Sequence, residues 1–413
     1  MGTHALPLSG YCILDLTMVT SGPVGTMMLA DMGADVIKVE PLDHGELSRS
    51  MGTTYVNGEN RMFLSQNRNK RSIRIDLKTK DGRETFLRLA SQADVITENY
   101  RPGTVERLGI DYKAVKAVKP DIVYASISAF GQSGPYASQP ANDPIVQALS
   151  GLMAMTGEPD RPPSRIGSPY PDFGAAALLA FGVSTALLHR ERTGDGQQLD
   201  ISLLNGAIFS CIPRDGETLA TGAAPSRMGS AHPTFSPYRS YQGADGQYFF
   251  LACFTEKFWK ALCEALDDPR LNEDHRFRTN ALRCENREVL DAVLAEIFHT
   301  QETSHWMELF RERNVPSAPI QDLHQALTQD PQVAHNNTLI EMEHPTAGTV
   351  SMLSLPVNFH GTPARYKTAA PRLGEHTAEI LSEYGFNDEE CQKLFTNSIV
   401  AGMDDGEVNG HGV

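Results

Sequence analysis

The stretch Tyr11-Cys-Ile-Leu-Asp-Leu-Thr-Met-Val-Thr-Ser-Gly-Pro-Val-Gly-Thr-Met-Met-Leu-Ala-Asp-Met-Gly-Ala-Asp-Val-Ile-Lys-Val-Glu40 decides the fold. Its first six residues read as a strand. Thr20-Ser21-Gly22-Pro23 is rich in turn formers, residues 24–32 read as a helix, and 35–40 form a second apolar strand. The same alternation continues outward. Residues 72–77 alternate with period two, as a half-buried strand does, and 80–92 read as a helix. Strands follow at 94–99 and 122–127, with a helix over 105–118 between them. Strands separated by helices of this length predict βαβ units and a parallel sheet covered on both faces. Such sheets bind ligands at the carboxyl ends of their strands.

Further along, a Pro/Gly-rich run over 157–171 precedes a long helix at 173–192. Residues 213–240 are rich in Gly, Pro, Ser and Thr and read as a domain crossing. From 247 the pattern is compact α+β, with a strand at 248–253 and helices near 255–266, 287–298 and 303–313. Strands and loops return past 338, then a helix at 376–384. The expected organisation is a large α/β domain over 1–215, a smaller α+β domain over 216–330, and a return to the large domain over 331–401. The tail 402–413 lacks apolar periodicity and is expected to be disordered.

The 413 residues exceed one ordinary core. With 40% hydrophobic and 21% charged residues, the chain has the profile of a soluble globular protein. The most apolar run, 175–188, is shorter than the roughly 20 residues of a membrane helix. The first ten residues carry no basic region and no apolar core, so neither a secretory nor a transit signal is expected. The expected location is cytoplasmic, or the mitochondrial matrix for a chain whose presequence has been removed. Six scattered cysteines form no C-x-x-C pair, and no metal site is expected. A net charge of −15 argues against nucleic acid and anionic membranes as partners. Residues 61–88 run the other way, with nine basic and three acidic side chains. An anionic ligand is expected there, above all at Asn67-Arg-Asn-Lys-Arg71, while Lys80, Arg83 and Arg88 read as a solvated helix face.

No phosphate loop, no G-x-G-x-x-G after the first strand and no H-E-x-x-H is present, and Gly131-Gln-Ser-Gly-Pro135 lacks the spacing of a nucleophile elbow. Chemistry is carried best by Arg165-Ile-Gly-Ser-Pro-Tyr-Pro-Asp172, which delivers a carboxylate to the start of a long helix. Asp is a favoured N-cap, and capping alone accounts for it. A helix N-terminus also stabilises an ionised carboxylate, and a carboxylate can attack a thioester and carry an acyl group as an anhydride.

The chain resembles the class III CoA-transferases, the family of formyl-CoA transferase, carnitine CoA-transferase and α-methylacyl-CoA racemase. The resemblance runs from about residue 6 to 385. It is carried by Ile13-Leu-Asp-Leu-Thr…Gly22-Pro23, Leu29-Ala-Asp-Met-Gly-Ala-Asp-Val-Ile-Lys-Val-Glu40, Asn67-Arg-Asn-Lys-Arg-Ser72, Glu98-Asn-Tyr-Arg-Pro-Gly103, Gly131-Gln-Ser-Gly-Pro135, Arg190-Glu-Arg-Thr-Gly-Asp-Gly-Gln197 and Leu373-Gly-Glu-His-Thr377. It implies a Rossmann-like large domain built from both chain ends, a smaller domain between, and two subunits interlocked as a homodimer. It implies Asp172 as the catalytic residue, and CoA or acyl-CoA as a substrate with no tightly bound cofactor. Val19, Thr20, Ile75, Lys78, Asn99, Tyr100 and Arg107 fall at the family's CoA contacts, and Pro41 stands where the family has an arginine. Without the resemblance, Arg107 reads as a surface arginine and Asn99 as a turn residue.

The family also places a glycine-rich loop by the nucleophile, matched by Met228-Gly-Ser-Ala-His-Pro233. Its small residues and N–H groups could bind an oxyanion; the plain alternative is an interdomain loop. Residues 333–348 look like the succinyl-CoA:glutarate branch, which implies a dicarboxylate substrate. A second substrate carboxylate needs a cation, and Gly229 and His232 in that loop, with Arg165, Arg227 and Arg239, are the acyl-side candidates. Two rivals remain. A racemase on this fold needs an acid/base pair and carries His-Asp where this chain reads Ala141-Asn-Asp-Pro144. A CoA-binding protein without turnover would not need Asp172.

Overall fold

A computed structural model describes residues 5–403; all but the first two residues of the expected disordered tail lie outside them. The chain divides into two units. The first comprises Met1–Leu152, Ile166–Asp215 and His335–Val413, and the second Met153–Arg165 and Gly216–Ala334. Residues 153–165, which precede the expected crossing at 216, thus group with the second unit.

The first unit is built on β1 (Cys12–Asp15), α1 (Ser21–Asp31), β2 (Asp35–Glu40), β3 (Lys70–Ile75), α2 (Lys80–Ala90), β4 (Val95–Glu98), β5 (Val123–Ser128), α3 (Asp143–Leu149), α4 (Tyr170–Thr193), β6 (Gln198–Ser202) and α5 (Leu203–Phe209). The strands form one sheet in the order β3-β2-β1-β4-β5-β6, all parallel. This is the doubly wound order whose direction reverses between β1 and β4. A final strand, Val400–Ala401, adds antiparallel to β3, so both chain ends build the sheet. Successive strand residues enter opposite cores, as period two requires. Ile13, Val36, Val95 and Val123 pack with α1 and α4 on one face. Leu14, Ile37, Ile96 and Tyr124 pack with α2 and the helix Thr377–Glu383 on the other.

Helix α1 begins at Ser21 rather than near 24, because the turn formers Ser21-Gly-Pro23 are its first turn. The helix expected over 105–118 is two, Thr104–Leu108 and Tyr112–Val118, separated where Gly109 takes φ +70°. Gly25 lets α1 and α4 meet at backbone distance, since a Cβ there would stand 2.8 Å from the Ala176 carbonyl. Helix α4 has 24 residues and is, by length and composition, apolar enough to cross a membrane. The expected helix over 173–192 is borne out and runs three residues further at its start, so the apolar run 175–188, read as too short for a membrane helix, lies within a longer apolar helix. Its inner stripe of Ala175, Leu179 and Val183 is buried in the core beside the sheet.

The second unit packs a three-stranded antiparallel sheet, Tyr238–Gln242, Tyr248–Ala252 and Ser317–Pro319, with the helices Glu256–Leu266, Arg287–Phe298 and Thr303–Glu312. Phe249, Phe298, Trp306 and Phe310 form its aromatic centre.

Candidate active site

At the carboxyl end of the sheet, where the strand order reverses, lies a cavity of about 210 Å³. Met18 to Ser21 line it from the β1–α1 loop, Asn99 from the end of β4, and Ile127 to Ala129 from β5. Ala141, Asn142 and Asp143 enter from the start of α3, Asp172 from α4 and Leu203 from α5. The topology therefore gathers Val19, Thr20, Asn99 and Asp172 from three separate sequence regions into one wall.

Asp172 is not the cap of its helix. The N-cap is Pro169 and Asp172 is the third helical residue, with no side-chain cap bond. Tyr170 and Pro171 continue into the helix because proline is preorganised for a first turn. The side chain is thus left for other work. Its own backbone N–H donates to Oδ2 of Asp143 at 3.2 Å. The other Asp143 oxygen accepts from Gln147 Nε2 at 2.6 Å, and Gln147 Oε1 accepts the Ile166 N–H at 2.8 Å. Asp143, 6% exposed, is therefore a fixed charge beside Asp172. Burial, and then the Asp143 charge, push the Asp172 carboxyl up from 3.8 to about 6. The helix N-terminus was expected to keep this group anionic; burial and a like charge raise its pKa all the same, though not past neutrality.

The β1–α1 loop is strained and clamped. Val19 has φ +69°, an outlier for a β-branched residue that costs about 1–3 kcal/mol. Asn99 brackets Met18, accepting its N–H and donating to its carbonyl, both at 2.8 Å. Beneath the loop, Asp15, Lys38 and Lys70 are fully buried, and Lys70 pairs with Asp15 at 2.9 Å.

The other expected CoA residues lie outside the cavity lining. Lys78 and Arg107 are exposed cations, and Arg107 donates to Thr104 Oγ1 at 2.9 Å. Tyr100 packs against the sheet core, and its N–H donates to Glu98 at 2.9 Å. Ile75 is 1% exposed and pairs in register with Val400, so its side chain offers a ligand no surface. The basic run is corrected more sharply. Arg68 forms a two-point pair with Asp31 at 3.0 and 2.6 Å, Lys70 is buried on Asp15, and Arg71 binds Asp35 and Glu383 at 2.6 and 2.7 Å. These cations neutralise acids of neighbouring elements and leave no anion site at 67–71. The helix-face readings fare differently. Lys80 faces Glu84 at 3.6 Å in solvent, whereas Arg88 joins Glu390 at 2.9 Å and stacks on Phe386.

Arg165, Gly229 and His232 belong to the second unit. The loop carrying the latter two spends its N–H groups internally: Gly229 donates to Gly157 O, Ala231 to Met228 O and His232 to Tyr238 O. Free donors for an oxyanion are thus not found at these three positions. The His232 ring makes tilted contacts with Phe235 and Tyr238 and accepts the Thr234 N–H. Arg239 is paired with Asp291 at 2.8 Å, and Arg227 faces the carbonyls of Glu158 and Pro159. Sequence reading passed over Asp143 as a site residue. Its signal was its place in Ala141-Asn-Asp-Pro144, weighed there only for the absent histidine.

Residues 8–377 match the family model described as CoA-transferase family III. The chain is 38% identical over 380 residues to acetyl-CoA:oxalate CoA-transferase of Acetobacter aceti, spanning 92% of this chain and 96% of that one. It is 37% identical to succinyl-CoA:glutarate CoA-transferase of Mus musculus, over 95% of this chain and 90% of that one. Among solved structures, a CAIB/BAIF family protein from Brucella suis superposes with a TM-score of 0.84 at 34% identity, covering 92% of this chain and all of that one.

Proposed function

Since the chain belongs to CoA-transferase family III and is an enzyme of that kind, we propose that it transfers CoA between two carboxylic acids through covalent intermediates on Asp172. The single observation that carries this reading is the position of Asp172. It is the one half-buried carboxylate in the switch-point cavity whose side chain is free of capping duty, with a basicity raised by its surroundings.

In the proposed sequence an Asp172 carboxylate oxygen attacks the donor thioester carbon. The C–S bond breaks, CoA thiolate leaves, and an aspartyl–acyl anhydride forms. The thiolate then attacks the Asp172 carbonyl carbon, releasing the donor as a free carboxylate and leaving an aspartyl–CoA thioester. The acceptor carboxylate attacks that thioester and expels CoA thiolate. The thiolate attacks the acceptor's acyl carbon, giving the new acyl-CoA and regenerating Asp172. No net proton or electron is consumed. A carboxylate with a pKa near 6 is ionised at pH 7 yet more nucleophilic than an ordinary aspartate. Water must be kept from both intermediates.

The racemase alternative is disfavoured by Asn142, which lines the cavity where a histidine base would be required and does not titrate. CoA is proposed to approach along the β1–α1 loop and Asn99, with Lys78 and Arg107 facing its phosphates. The acceptor is proposed to be a dicarboxylate, in keeping with the names of the oxalate, glutarate and mesaconate enzymes it resembles. The test is a matrix of acyl-CoA donors against acceptors, read by mass spectrometry. Succinate should be used in preference to butyrate, which has the same chain length and one charge fewer. Equal use of both would sink the dicarboxylate assignment, and α-proton exchange in heavy water without transfer would favour the racemase.

A further inference from the structure

The loop that supplies Met18 to Ser21 to the cavity is held in place by side chains that are not themselves among the lining residues. Val19, at φ +69°, sits in a region a β-branched residue avoids, and such a conformation persists only where neighbours over-determine it. The neighbours here are buried charges. Lys38 Nζ donates to the Thr17 carbonyl at 2.8 Å, and Glu46 Oε2 accepts the Val19 N–H at 3.0 Å. Asp15 accepts the Thr17 N–H at 2.9 Å, and Lys70 donates to the Pro23 carbonyl at 2.9 Å just inside α1. All four side chains belong to residues no more than 2% exposed. Glu46 is anchored in turn, because its N–H donates to Glu40 at 3.1 Å and Glu40 binds Arg49 by two bonds of 2.7 Å.

Stability alone is a poor reason for this arrangement, since buried ion clusters stabilise a core no better than apolar groups of the same volume. What they do supply is direction: each fixes one named backbone atom of the loop or of the first turn of α1. Asp15 and Lys38 face each other in register on β1 and β2, so the sheet itself places the first anchor under the loop.

We infer that Glu46 and Lys38 are positioning residues for the reaction, holding residues 17–21, with Val19 left-handed, in the conformation that seats acyl-CoA against Asp172. The inference rests on the cavity being the CoA-transfer site. Glu46→Ala frees the Val19 N–H and lets the loop relax. In the folded variant KM for acyl-CoA should rise about tenfold while kcat at saturation changes much less. Lys38→Met, of similar volume and without the charge, should raise KM in the same way and serves if Glu46→Ala fails to fold. A purely structural role would lower Tm and leave KM alone. The inference is overturned by a KM within twofold of wild type in either folded variant. Wild-type enzyme is assayed alongside for transfer and for an Asp172 adduct. Wild type lacking both would sink the functional reading itself, whereas active wild type with unaltered variants would sink this inference alone.

Discussion

At the scale of single residues the decisive pair is Asp172 and Asp143. Asp172→Ala should abolish transfer and keep the fold. Asp172→Glu should lose on the order of a hundredfold in kcat, because one extra methylene displaces the attacking oxygen by about 1 Å. The pH dependence has a defined sign. In the proposed mechanism Asp172 must be ionised to attack, so wild-type kcat/KM should fall as pH drops through about 6. Asp143→Asn removes the like charge while leaving burial, so its acid limb should lie at lower pH. A limb that stays put, or moves up, would show that Asp143 does not tune the nucleophile. Stability follows the same shift. A carboxyl raised from 3.8 to about 6 contributes stability that is fully present below 3.8 and is lost as pH rises through 6. Asp172→Asn should therefore raise Tm more at pH 8 than at pH 4, and an equal effect at both would contradict the assigned burial. Asp172 was legible in the sequence as a carboxylate at the start of a helix. Its freedom from capping was not, because Ser168-Pro-Tyr-Pro171 fits a helix start one, two or three residues away. Asp143's part was hidden for another reason: the contact spans 29 positions and is made to a backbone amide.

At the scale of elements, the parallel sheet was legible because strand-like runs alternate with helices along the first 130 residues. The strand Gln198–Ser202 was missed. It sits at the sheet edge and does alternate polar with apolar residues as a half-buried strand should, but with only Leu199 and Ile201 apolar it is short and runs straight into the helix that follows. The terminal strand Val400–Ala401 was missed because two residues have no period. The basic run 67–74 misled for a related reason. Its charges answer Asp15, Asp31 and Asp35, which lie more than thirty positions away and become neighbours only when β1, β2 and β3 pair. The close approach of α1 and α4, which sets Asp172 against the β1–α1 loop, depends on Gly25. Gly25→Ala should destabilise the fold by about 1–3 kcal/mol, because the added methyl meets a backbone carbonyl that cannot turn aside. Urea unfolding of variant and wild type measures this, and an unchanged midpoint would mean that the helices separate at no cost.

At the scale of the whole molecule, the outer face of α4 and of its neighbour α5 exposes several large apolar side chains. Phe181 and Phe209 are 69% and 70% exposed, and Phe173, Leu188 and Ile208 are about half exposed. Apolar surface of this extent marks an interaction surface, and the proposed occupant is a second copy of the chain in an interlocked homodimer. Sedimentation should find a dimer that dilution does not convert to folded monomer, and Phe181→Asp should prevent its assembly. A monomer that keeps activity would contradict the proposal. The expectation of interlocking came only from resemblance, since no local pattern encodes how two chains thread. The proposed mechanism turns on one bond, and that bond can be sought directly. Enzyme mixed with acyl-CoA and no acceptor, quenched and measured as intact protein, should gain the mass of a CoA thioester, mapping after digestion to Asp172 and absent from Asp172→Ala. Steady transfer without any adduct on Asp172, or transfer that survives in Asp172→Ala, would contradict the account.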